Sequence, residues 1–131
     1  MKIAVYSAHD YDRDGLNAAN AETGHELLFI KAPLSADTAR QAVGCGGACI
    51  FVNDHADADA LRILAEDGVH LLALRCAGFN NVDIAEAKRL GISVTRVGDY
   101  SPHSVAEHAV ALLLALNRNI PIAHERVLAN D

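Results

Sequence analysis

The turn Arg75-Cys76-Ala77-Gly78 is the stretch of this sequence whose residue types could best hold a ligand. It follows the apolar run Leu71–Leu74, short enough for a buried strand. A helical pattern of Val82, Ile84, Ala85 and Leu90 comes after it. In an open α/β sheet, ligands bind just outside the carboxyl ends of the strands. Ala77 and Gly78 are small enough to let a ligand reach the backbone, and free N–H groups there suit an anion such as a carboxylate. Small residues also suit any tight strand-to-helix turn, so the turn alone does not separate a site from a connector.

Other chemistry finds less support. The chain holds seven histidines and three cysteines, but His103 and His108 do not share a helix face. Cys45 and Cys49 run from a loop into an apolar strand with no second ligand pair nearby, so no metal site is expected. Glu107 and His108 are adjacent on a helix, point different ways and cannot form an acid–base dyad. Cys76, at a strand end, reads as a packed thiol before a reactive one. Gly44–Gly47 precedes a strand, whereas a dinucleotide fingerprint must follow one and open a helix. No P-loop is present, and Ser7–Gly15 lacks the hydroxyl-rich pattern of a flavin phosphate site. Asp10 and Asp54 imitate two acids of a phospho-receiver, but the fifth strand ends Thr95-Arg96-Val97-Gly98 without the required Lys. No catalytic residue emerges.

The elements that must position the turn follow from apolar periodicity. Strands are expected at Lys2–Ser7, His25–Ile30, Ala48–Val52, His70–Leu74 and Ile92–Val97. Helices are expected over Asp12–Thr23 with Gly24 as the stop, from Ser35 to about Val43, over Asp57–Asp67, and over Val82–Leu90. This alternation predicts a doubly wound α/β fold with a five-stranded parallel sheet in the order 2-1-3-4-5. The pattern then changes. Ser101 is expected to cap a long helix with Pro102 at its first position, Pro121 to break or kink it, and a second helical piece to end at Asp131. Val105 to Leu116 is apolar almost all the way round, which calls for cover on more than one side.

Composition narrows the class. The 131 residues are 51% apolar, enough for one domain with a real core. Seventeen acidic residues against eleven basic ones give a net charge of −6, which argues against nucleic acid and anionic membrane surfaces. The run Ala109–Leu116 is too short to span a bilayer. An odd number of cysteines without a leader sequence predicts reduced thiols in a cytoplasmic protein.

Four segments together carry a resemblance: KIAVYS at the start, ACIFVND at Ala48–Asp54, ALRCAGFNNVD at Ala73–Asp83, and YSPHSVAEHAVALLLALNR at Tyr100–Arg118. They resemble the NAD-dependent D-2-hydroxyacid dehydrogenases, the D-lactate dehydrogenases in particular, over essentially the whole chain. The resemblance implies a flavodoxin-like substrate domain over residues 1–100, with 101–131 as the first helix of an NAD-binding domain whose G-x-G-x-x-G strand comes later. It implies that the amides of Ala77 and Gly78 hold the substrate carboxylate, that Tyr100 and Phe51 line the pocket, and that Val105 touches the nicotinamide side. The family's catalytic Arg, Glu and His lie in the later coenzyme domain, and Arg75, His103 and His108 do not take their place. Where the family commonly has Pro-Ala before the Tyr, this chain has Gly98-Asp99, with Asp99 expected to point outward.

The expected function is the substrate-binding part of an oxidoreductase interconverting a 2-keto acid such as pyruvate and its D-2-hydroxy acid. NAD(H) would be the cofactor of the complete enzyme and would not be bound by this chain alone. The resemblance also implies a homodimer through 102–131. The competing expectation is a stand-alone flavodoxin-like binding or regulatory module without catalysis.

Overall fold

A computed structural model describes residues 1–98 and 100–130. Asp99 and Asp131 lie outside the described residues, and with them the expected outward turn of the Asp99 side chain and the end of the last helix. The chain divides into two compact units, Met1–Gly98 and Asp99–Asp131.

In the first unit, five parallel strands form one sheet: β1 (Lys2–Val5), β2 (Glu26–Phe29), β3 (Gly47–Ile50), β4 (Leu71–Leu74) and β5 (Ser93–Arg96). Their order is β2-β1-β3-β4-β5, as the alternation of elements predicts. Register sets Val5 beside Cys49, Ile50 beside Leu74, and Leu74 beside Arg96. All five strands therefore end along one edge, where the turns to the helices gather.

One face of the sheet carries the core. Ala4, Tyr6, Ala48, Ile50, Leu72 and Leu74 are buried there with Leu61 and Leu64 of α2 (Ala58–Glu66) and Ala87 of α3 (Ile84–Arg89). Leucines buried in this way stabilise the fold by about 1.5–3 kcal/mol each. Both helices start on an aspartate whose side chain accepts a backbone N–H: Asp57 from Ala60 and Asp83 from Glu86, each at 2.9 Å. Arg62 of α2 donates to Glu86 of α3 at 2.9 Å. Arg89 and Arg62 beside Glu86 hold its carboxyl down at about 2, so this tie persists until the solution is strongly acid.

α1 spans Asp10–Asn20, and it begins before Asp12 because the His9 N–H donates to the Asp12 carboxylate at 2.9 Å, which places Asp12 inside the first turn. The helix has no buried residue.

The expected helix from Ser35 to Val43 is not formed. Only a 3-10 turn, Ala39–Ala42, appears there. The Thr38 hydroxyl accepts the Ser35 N–H at 2.9 Å and donates to the Pro33 carbonyl at 2.6 Å, which competes with helix initiation. The buried Tyr6 hydroxyl then takes the Ala39 carbonyl at 2.9 Å, and Val43 leaves helical geometry at φ −53, ψ 131.

The second unit holds α4 (Pro102–Asn117) and α5 (Ile120–Leu128). Ser101 sits at the start of α4 but does not cap it through its side chain. Its backbone is left-handed (φ 34), and its hydroxyl meets that of Ser104 at 2.6 Å. The break between the helices falls at Arg118-Asn119, where Asn119 has φ 52; Pro121 lies in the first turn of α5, a position without a helical N–H requirement. Among the described residues, no helix is long and apolar enough to cross a membrane.

Candidate functional site

The carboxyl edge of the sheet begins with β1. Past Val5, Tyr6 donates its N–H to the Cys49 carbonyl at 2.9 Å, and Ser7 adopts a left-handed φ of 49, a costly backbone for a residue with a Cβ. Its hydroxyl donates to Asp54 at 2.7 Å. Asp54 is fully buried, and its carboxylate also accepts the Leu34 N–H at 2.7 Å and the Phe51 N–H at 2.6 Å. Three donors on one carboxylate compensate its removal from water. The edge between β1 and β3 is thus closed by one side chain.

Phe51 is the first residue past β3 and is half-buried. Its carbonyl accepts the Asp54 N–H at 3.1 Å and the Asn81 side-chain amide at 3.0 Å. The same Asn81 amide donates to the Asp54 carbonyl at 2.8 Å. Asn81 therefore ties the turn after β4 to the turn after β3, beside the single bridge between Ala56 and Val82.

Arg75 leaves β4 and turns toward β1. Its side chain is 13% exposed. Its guanidinium donates to the Tyr6 carbonyl at 3.1 Å and to the Cys49 carbonyl at 3.4 Å, and lies 5.4 Å from the Phe51 ring centre. Asp12 of α1 supplies the nearest carboxylate, at 3.5 Å. Arg75 thus braces three strand ends.

The turn Cys76–Gly78 turns its carbonyls to the protein. Cys76 O accepts the Val97 N–H at 3.1 Å, Ala77 O accepts from Arg96 at 2.9 Å, and Gly78 O accepts the Cys76 thiol at 3.2 Å. All peptide bonds among the described residues are trans, so each carbonyl is antiparallel to the next N–H. The Ala77 and Gly78 N–H groups consequently both point away from the end of β5. Among the described residues, no acceptor takes either of them. A pair of unopposed N–H groups at the end of a parallel strand is suited to a carboxylate.

Gly78 is not there for the backbone. Its φ is not positive, and a Cβ built on it would meet nothing within 4 Å.

Of the expected site residues, the structure brings Phe51, Ala77 and Gly78 to one edge. Tyr100 and Val105 belong to the second unit, where they are 74% and 64% exposed. The three thiols are free, and burial pushes all of them above the ordinary cysteine range, Cys49 despite the opposing pull of Arg75. Cys76 accordingly fits the packed-thiol reading. Sequence reasoning gave no role to Asn81 or Arg96, and weighed Asp54 only as a strand end and as an imitation of a phospho-receiver acid. An acid closing the apolar run ACIFV was the one signal available. Among the described residues, no three metal-ligating side chains cluster.

The family model for the catalytic domain of D-isomer specific 2-hydroxyacid dehydrogenases matches residues 3–129. A 2-hydroxyacid dehydrogenase homolog of Zymomonas mobilis is 48% identical over 131 residues, which are 100% of this chain and 40% of that protein. The apo-structure of D-lactate dehydrogenase from Escherichia coli matches with a TM-score of 0.83 and 48% identity, covering 96% of this chain and 40% of its own. A D-lactate dehydrogenase with NAD+ from Lactobacillus jensenii matches with a TM-score of 0.72 and 33% identity, covering 100% of this chain and 40% of its own. This chain spans about two-fifths of the length of these relatives.

Proposed function

We propose that this chain, which belongs to the D-isomer specific 2-hydroxyacid dehydrogenase family, forms the substrate-binding part of an NAD-dependent enzyme interconverting pyruvate and D-lactate. The observation that carries this reading is the pair of Ala77 and Gly78 N–H groups at the end of β4, both directed away from β5. They hold the carboxylate of the 2-keto acid. Phe51 forms one wall of the pocket on the first unit, and the family resemblance supplies the substrate-side role of Tyr100 and the nicotinamide-side role of Val105 in the complete enzyme. Residues 1–100 are the substrate domain, and 101–131 begin the coenzyme domain. The reduced thiols and charge of the chain suit the cytoplasm.

The residues present do not fit the whole dinucleotide. The turn after β1 reads Tyr6-Ser7-Ala8-His9 and the turn after β4 reads Arg75-Cys76-Ala77-Gly78, neither with the glycine spacing that seats a pyrophosphate. No hydride step is therefore assigned to this chain. Its part is to bind and orient the keto acid, and the family's catalytic Arg, Glu and His act from outside these 131 residues.

Titration of the nitrogen-15-labelled chain with oxamate, a non-reducible analogue of pyruvate, tests the reading. The Ala77 and Gly78 amide resonances are expected to move in a saturable way, and acetate at matched ionic strength to move them less. Unmoved Ala77 and Gly78 resonances at saturating oxamate would remove the carboxylate site.

The same reading includes a two-fold homodimer through 102–131. On α4, Leu112, Leu113 and Leu116 are 53%, 65% and 75% exposed, and leucines in that state normally mark an association surface. Light scattering of the chain at micromolar concentration is expected to give twice the 13.9 kDa monomer mass. Leu113→Glu is expected to halve it. A monodisperse monomer of the unsubstituted chain would exclude the dimer.

A further inference from the structure

Arg96 is the last residue of β5, an edge strand with exposed Ser93 and Thr95. Parallel pairing places it beside Leu74, at the point where β4 gives way to the turn. Its guanidinium lies 5.5 Å from the Phe79 ring centre, so the turn's own aromatic side chain attracts the cation. From there its Nη1 donates to the Ala77 carbonyl at 2.9 Å and, more weakly, to the Val97 carbonyl at 3.4 Å. The neighbouring Val97 N–H holds the Cys76 carbonyl at 3.1 Å. Two successive peptides of the turn are therefore gripped by their oxygens from the end of β5.

We propose that Arg96 is a positioning residue of the carboxylate site, a role that rests on the substrate-binding reading above. Arg96 fixes the Ala77–Gly78 peptide by its carbonyl, and the planarity of that peptide aims the Gly78 N–H at the substrate carboxylate. A cation on the carbonyl also polarises the amide, which makes the N–H opposite it the stronger donor. Arg96 touches no substrate in this arrangement. The turn has no other side chain on the Ala77 carbonyl among the described residues, so without Arg96 the peptide is free to rotate its N–H off target. A lysine keeps the charge and one donor but loses the planar fork.

The oxamate titration is extended to Arg96→Met and Arg96→Lys, at low and at high salt. Loss of one hydrogen bond to a charged group predicts about tenfold weaker oxamate binding for Arg96→Met, with Arg96→Lys recovering to within about threefold of the parent. The Gly78 amide resonance is expected to shift in unliganded Arg96→Met while buried core amides such as Leu72 stay in place. The loss is expected to persist at high salt, where an exposed charge acting only through space would be screened. Equal oxamate affinity of Arg96→Met and the parent overturns the role of Arg96 and leaves the carboxylate site standing. A loss that disappears at high salt, or displacement of the core amides along with Gly78, overturns it as well. If the parent chain itself shows no response at Ala77 and Gly78, the substrate-binding reading fails first and the role of Arg96 falls with it.

Discussion

Asp54→Ala is expected to lower the melting temperature of the chain by roughly 10–20 °C. The substitution removes the acceptor of two backbone N–H groups, those of Leu34 and Phe51, and of the Ser7 hydroxyl. Leu34 is fully buried, so water cannot replace the lost partner there. An unsatisfied buried donor costs about 1–3 kcal/mol, and a stability loss of that size moves the midpoint by about 4 °C per kcal/mol in a chain of this length. Ser7 adds to the effect, since its left-handed backbone is held partly by the bond to Asp54. Asp54→Asn keeps the shape and one acceptor oxygen, so a smaller loss is expected. Ser7→Ala removes only an exchangeable hydroxyl contact and is expected to cost least. Thermal unfolding followed by circular dichroism ranks the three variants. A midpoint for Asp54→Ala within about 3 °C of the parent would show that the carboxylate does not hold the edge together.

The second large effect separates binding from folding. Gly78→Val is expected to weaken oxamate binding by roughly 10- to 150-fold, the equivalent of one lost charge-assisted hydrogen bond, with little change in melting temperature. The separation follows from the open space around Gly78, where a Cβ meets no atom within 4 Å. A Cβ therefore fits the protein, and a branched side chain stands where the carboxylate must approach the amide. Gly78→Ala, with a single methyl, is expected to fall between the two. Parallel titration and thermal unfolding of the three proteins decide the matter. Parent-like affinity of Gly78→Val, or loss of its folded structure, would each defeat the assignment.

The sheet was legible in the sequence because its signals are local. Runs such as Ala48–Val52 and Leu71–Leu74 are apolar throughout and too short for helices, and their alternation with helical patterns leaves one natural strand order. The Ser35–Val43 segment misled because its serine and its length suit a helix, whereas a tertiary partner decides it. The Tyr6 hydroxyl reaches the Ala39 carbonyl from just past β1, 33 positions away. The candidate site was half legible for the same reason. Ala77 and Gly78 stand out as small residues after a strand. Arg96 lies 19 positions from the carbonyl it holds, and Asn81 lies 30 from the carbonyl of Phe51. Nothing in their neighbours along the chain marks them. Polar side chains that act by orienting a peptide leave no periodic trace, and only the parallel register brings them to the turn.

The grip of Arg75 on the Tyr6 carbonyl spans 69 positions of sequence. A chain leaving the ribosome can pair β1 with β2 early, since their partners are close in sequence. It cannot close the carboxyl edge of the sheet until β3 and β4 have docked beside β1, and the last oxygen contact of the turn waits for β5. Parallel crossovers of this kind pay loop-closure entropy before their contacts return it. The turn after β4 is therefore among the last features of the domain to mature during synthesis, and an emerging chain carries its hydrophobic strands for some time before the carbonyls of that turn are held.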